Sequence, residues 1–153
     1  MTAERIVIVG GARCGKSTLA RSLRAKGYQT FCGDPIEFVK DPERDVIYLP
    51  SGLDYAGDGG AADWIAHNWF EMSGPWVCEG HVTARALERW LRRWVDDDPE
   101  QFPCDRIIVF LEQHPSVELL PGQRSQHKGT MTVWNRIAPY FTGMYEERRW
   151  SDN

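Results

Sequence analysis

The stretch Arg5 to Leu23, RIVIVGGARCGKSTLARSL, constrains this chain more than any other. Ile6 to Val9 is an unbroken β-branched run, the pattern of a strand buried on both faces. It is followed by Gly10-x-x-x-x-Gly15-Lys16-Ser17, and Ser17 to Leu23 reads as the opening of a helix. Strand, glycine-rich loop and helix in that order are the setting of the P-loop motif. Gly10, Gly11 and Gly15 let the backbone turn tightly with its N–H groups aimed inward, and Ala12, Arg13 and Cys14 complete the loop. The helix N-terminus adds positive potential at the same spot. The pattern predicts a cradle from Gly10 to Thr18 for a nucleoside triphosphate. In it Lys16 neutralises the β and γ oxygens, Ser17 holds Mg²⁺ by its hydroxyl, and Thr18 supports the first helical turn.

At 153 residues the chain is expected to be one domain, residues 1–153. No apolar run approaches the roughly 20 residues of a membrane span. Glu4 and the first strand follow Met1 so closely that no cleavable signal is expected. The expected location is the cytoplasm, or the host cytoplasm if the chain is phage-encoded. Cys14, Cys32, Cys78 and Cys104 lack paired spacing, so no structural metal is expected. The last three read as buried thiols, and Cys14, inside the loop, as accessible. A net charge of −4 argues against sequence-blind adhesion to nucleic acid, though not against a local basic groove.

Along the chain, Tyr28 to Cys32 reads as a second strand, ended by Gly33-Asp34-Pro35. Val46 to Leu49 is a short edge strand, and the glycine-rich segment of about 51–60 is a mobile loop. A helix from Ala61 to Met72 precedes a strand, Trp76 to Cys78, that closes on Glu79-Gly80-His81. Thr83 to Val95 is amphipathic, with Ala84, Leu87, Leu91, Trp94 and Val95 on one face. Arg106 to Leu111 is a further buried strand. The connection of about 112–129 holds GQRSQHKG and reads as a lid. Thr130 to Ala138 is helical, and a last helix extends to Arg149. This alternation predicts an α/β domain, a three-layer P-loop NTPase fold with a mainly parallel sheet of four to five strands.

Ligands of such sheets lie beyond the strands' carboxyl ends, where the P-loop, Asp34, Glu79 and Glu112 should gather. Asp34, beside the P-loop strand, is read as the base that orients an attacking oxygen; a plain Asp-Pro turn is its other reading. Glu79 would anchor water on Mg²⁺, or cap the following helix. His81 is given no role. Arg85, in the first turn of that helix, is the arginine placed near the substrate, and Arg89, Arg92 and Arg93 form a solvated face or peripheral phosphate track. Arg124 or Lys128, in the lid, would stabilise charge in transfer. Metal binding by Glu112 is not expected. Trp64 and Tyr55 read mainly as core and loop residues, with stacking on a base as the alternative.

With the P-loop, Asp34, Glu79-Gly80 and a basic lid in chain order, the sequence resembles the P-loop kinases: nucleoside monophosphate, shikimate, gluconate and 5′-hydroxyl polynucleotide kinases. The resemblance implies ATP·Mg²⁺ on Lys16 and Ser17, Asp34 as base towards a hydroxyl, and Arg124 in the place of a lid arginine. Glu79-Gly80 is similar to the Asp-Gly pair of the monophosphate kinases. The Pro-Arg after that pair is absent, Arg85 falls two positions late, and no final strand is evident before the last helix. GPWVCEGHVTARAL and GQ-x4-KG-x4-VW look similar to compact phage-type kinases, some of which phosphorylate 5-hydroxymethyluracil within DNA. Three functions follow as expectations. The first is an ATP-dependent kinase acting on a hydroxyl of a nucleotide or nucleic acid. The second is a monophosphate kinase, and the third a nucleotide-dependent switch or regulatory ATPase. No guanine-selecting Asn/Thr-Lys-x-Asp segment is apparent, which favours ATP over GTP.

Overall fold

A computed structural model describes residues 3–35, 39, 41–50, 60–94 and 102–150. Among the described residues six strands form one sheet: β1 (Arg5–Val9), β2 (Gln29–Pro35), β3 (Val46–Leu49), β4 (Trp76–Glu79), β5 (Arg106–Phe110) and β6 (Tyr145–Arg148). Their spatial order is β3-β2-β4-β1-β5-β6, and every pairing is parallel. Ile6, Val7, Ile8 and Val9 are each 0 % exposed, which explains why β1 lacks any polar alternation.

The helices are α1 (Lys16–Arg24), α2 (Ala61–His67), α3 (Thr83–Trp94) and α4 (Gln123–Ile137). One core cluster joins Ile6, Ile8, Val77 and Ile108 of the sheet to Ala20 and Leu23 of α1. The other joins Val7, Val9, Cys78 and Val109 to residues of α2, α3 and α4. Alternate residues of one strand thus serve opposite layers. Phe31 stacks on Trp69 at 4.9 Å in the second cluster, and Trp76 and Trp134 are wholly buried there. Each such ring contributes roughly 1.5–3 kcal/mol by burial.

Several expected boundaries are corrected. The sheet has six strands where four to five were expected. The sixth, Tyr145–Arg148, replaces the end of the expected last helix and supplies the final strand that the sequence did not reveal. Gly143, at φ 85°, turns the chain, and the ends of β6 pair with β5 through Ile107 N–H to Met144 O (2.9 Å) and Leu111 N–H to Arg148 O (3.0 Å). These backbone bonds outweigh the weak strand propensity of Glu146, Glu147 and Arg148. α4 starts at Gln123, so residues 123–129 of the expected lid are helical. α2 ends at His67, and a 3₁₀ turn, Trp69–Glu71, follows it. The expected loop at 51–59, with Tyr55, lies outside the described residues, as does Val95.

Candidate active site

The glycine-rich loop turns through two left-handed residues, Arg13 (φ 63°) and Gly15 (φ 98°). No side chain caps the first turn of α1, so its orphan amides and dipole remain available to an anion. Lys16 is only 7 % exposed, and its Nζ donates to the carbonyls of Gly10 (2.8 Å) and Gly11 (2.6 Å). An ammonium has three N–H bonds, which leaves one for a ligand. Cys14 is buried, not accessible as expected, and burial raises its thiol pKa against the opposing pull of Lys16.

A cavity of about 700 Å³ opens over this loop at the carboxyl edge of the sheet. Lys16, Ser17, Thr18, Asp34, Glu79 and His81 all line it. Asp34 belongs to the last residues of β2 rather than to the turn after it. Its Oδ1 is buried without a hydrogen bond, although His81 Nε2 approaches to 3.3 Å. The contact is an ion pair only when His81 is protonated, a state that its burial disfavours. The Asp34 side chain is 31 % exposed, so its other oxygen, Oδ2, is the one open to the cavity. Burial lowers the His81 pKa, with Asp34 opposing and Lys16 reinforcing that shift.

Glu79 closes β4 and is 5 % exposed. Burial raises its pKa, Asp34 raises it further, and Lys16 opposes both. Cys32, Asp34 and Glu79 each offer a ligand atom within 4.8 Å of the others. Burial and the two carboxyl groups keep the Cys32 thiol protonated, so carboxylate oxygens remain as the donors, the chemistry that suits Mg²⁺. Gly33 and Gly80 set the spacing of this group. A Cβ on Gly80 would stand 2.9 Å from the Cα and N of Gly33, so only glycine lets β2 and β4 bring Asp34 and Glu79 together. Thr83, at the head of α3, donates from Oγ1 to Ile8 O at 2.7 Å and anchors that helix to β1.

A smaller cavity of about 130 Å³ adjoins the first and shares Ser17, Asp34 and Glu79 with it. Arg21, Arg24, Asp41 and Glu43 are among its other walls. Glu43 pairs with Arg21 and with Arg24, each at 3.1 Å. At its inner side Thr30 Oγ1 is buried without a partner.

Other residues singled out in the sequence lie elsewhere. Arg85 on α3 and Arg124 and Lys128 on α4 are exposed and line neither cavity. The cations of the larger cavity besides Lys16 are Arg13 and Arg148, and Trp150 and His114 add an aromatic wall. Glu112 pairs with Arg149 at 3.6 Å. Trp64 packs edge-on against Trp69 at 5.3 Å, in the core. Sequence reasoning missed His81, although its position two residues past Glu79 marks it as a strand-end residue. It missed Arg148 and Trp150 because β6 was read as helix. A third cavity, of about 620 Å³, lies at the amino edge among Arg5, Trp90 and Asp105, and holds none of the predicted site residues.

No protein-family model matches this chain, and no curated protein matches it. The fold and site together define an α/β protein with a glycine-rich loop and two strand-end carboxyl groups lining one cavity.

Proposed function

We propose that this chain is a kinase of the P-loop NTPase fold, moving the γ-phosphate of ATP·Mg²⁺ onto a hydroxyl of a nucleotide or nucleic-acid substrate. The observation that carries the reading is convergence: Lys16, Ser17, Asp34 and Glu79, brought from three strand ends, line one cavity. The loop amides and Lys16 bind and orient the triphosphate. Ser17 and, through water, Glu79 would hold Mg²⁺, which supplies charge neutralisation on the phosphates. Asp34 Oδ2 takes the proton of the acceptor hydroxyl as the new O–P bond forms and ADP leaves.

The smaller cavity favours a hydroxyl over a phosphate acceptor. Its walls carry Asp34, Asp41, Glu43 and Glu79 against Arg21 and Arg24, and Glu43 already engages both arginines. A dianionic acceptor would meet net negative charge there, whereas a neutral hydroxymethyl or sugar hydroxyl would not. The likeness to compact phage-type kinases makes 5-hydroxymethyluracil in DNA the first acceptor to try. The test is transfer from labelled ATP across nucleosides, nucleoside monophosphates and DNA with or without that base. Label on a hydroxyl-bearing acceptor supports the proposal. Label confined to monophosphates would replace it with a monophosphate kinase, and acceptor-independent release of phosphate with a regulatory ATPase.

A further inference from the structure

His127, on α4, meets three partner atoms, two of them in the glycine-rich loop. Its Nδ1 accepts the Gly11 N–H at 3.0 Å and lies 3.3 Å from Cys14 Sγ, and its Nε2 is 2.8 Å from Leu111 O. A backbone N–H is always a donor and a carbonyl always an acceptor, so the contacts fix the tautomer: Nδ1 is bare and Nε2 carries the proton. The Gly11 N–H and the Gly10 C=O belong to one planar peptide unit. His127 holds its nitrogen side, and Lys16 Nζ holds its oxygen side at 2.8 Å. The contact is close enough that a Cβ on Gly11 would overlap the Cα of His127.

We infer that His127 is a positioning residue for the phosphate site: by locking the Gly10–Gly11 peptide it fixes one of the two carbonyls that aim Lys16. This inference rests on the proposed nucleotide site. It also makes the start of α4 a fixed part of the cradle, joined to the end of β5 through Leu111. Without the imidazole that peptide loses its nitrogen-side anchor, and of the two carbonyls that hold Lys16 the Gly10 one is no longer fixed.

The test compares wild type, His127→Phe and His127→Asn for ATP·Mg²⁺ binding by calorimetry, with urea unfolding measured alongside. Asn Oδ1 stands where His Nδ1 stands, one bond from Cγ, so it restores the acceptor for Gly11. His127→Phe should weaken ATP binding about ten-fold or more, the range for one weakened hydrogen bond from a charged donor, and His127→Asn should recover most of that loss. Equal affinity in all three overturns the inference, as does a loss in His127→Asn as large as that in His127→Phe. If His127→Phe does not fold, the imidazole ¹⁵N spectrum of the wild type decides: protonated Nε2 supports the assignment and protonated Nδ1 overturns it. A wild type that binds no nucleotide overturns the proposed function itself, and this inference with it.

Discussion

Gly80→Ala perturbs the site through its scaffold and substitutes none of the side chains proposed to act in it. Gly80 follows Glu79 at φ 141°, a conformation that residues with a Cβ rarely adopt. Backbone strain of this kind costs about 1–3 kcal/mol. The new methyl would also stand 2.9 Å from backbone atoms of Gly33, and a backbone neighbour cannot rotate away as a side-chain tip does. Overpacking against a fixed neighbour adds about 1–3 kcal/mol. The two effects together should lower unfolding free energy by roughly 2–6 kcal/mol, a large part of the ~5–15 kcal/mol typical of a domain. Relief requires β2 and β4 to part near Gly33, the residue before Asp34. The folded variant should therefore lose more transfer activity than nucleotide affinity, about 100-fold for a misplacement near 1 Å. Urea unfolding followed by tryptophan fluorescence, with ATP binding and labelled-phosphate transfer on the folded fraction, measures all three. Stability within about 0.5 kcal/mol of wild type and unchanged transfer would refute the close approach as the device that sets the Asp34–Glu79 geometry.

Other substitutions should behave differently. Gly129→Ala changes an exposed helical glycine whose Cβ would meet nothing within 4 Å, and it should raise stability by about 0.5–1 kcal/mol in the same unfolding assay. Glu79→Gln removes a buried acid whose pKa is raised above its usual 4.5. The folded state holds that proton more tightly than the unfolded one. Wild-type stability should thus fall as pH rises from about 4.5 through the raised pKa, and the variant should lose this limb. At neutral pH Glu79→Gln should be about 0.5–2 kcal/mol more stable and much less active, as read by thermal unfolding and Mg²⁺-dependent transfer.

The strand, glycine-rich turn and helix were legible because their signal is local: a β-branched run, spaced glycines and Lys16-Ser17 act within a dozen positions. Asp34 and Glu79 followed from a rule about sheet edges, which needs only the order of the strands. β6 was not legible, because an edge strand half open to water needs no apolar alternation, and the partner that defines it is remote in sequence. The start of α4 was hidden by Gly122 and Gly129, which read as loop punctuation; the first is the N-cap at φ 88°, and the second sits inside the helix. His127 carried no spacing signal. Its partner, Gly11, lies 116 residues earlier and is recognised only when α4 packs on the loop.

The most direct measurement is transfer of labelled phosphate from ATP by wild type, Lys16→Ala and Asp34→Asn, with nucleotide affinity recorded for each. Wild type should label a hydroxyl acceptor, Lys16→Ala should lose both binding and transfer, and Asp34→Asn should bind ATP normally while transferring at least about 100-fold more slowly. Full transfer by Asp34→Asn would contradict the claim that the carboxyl edge of this sheet presents a base to the phosphate cradle.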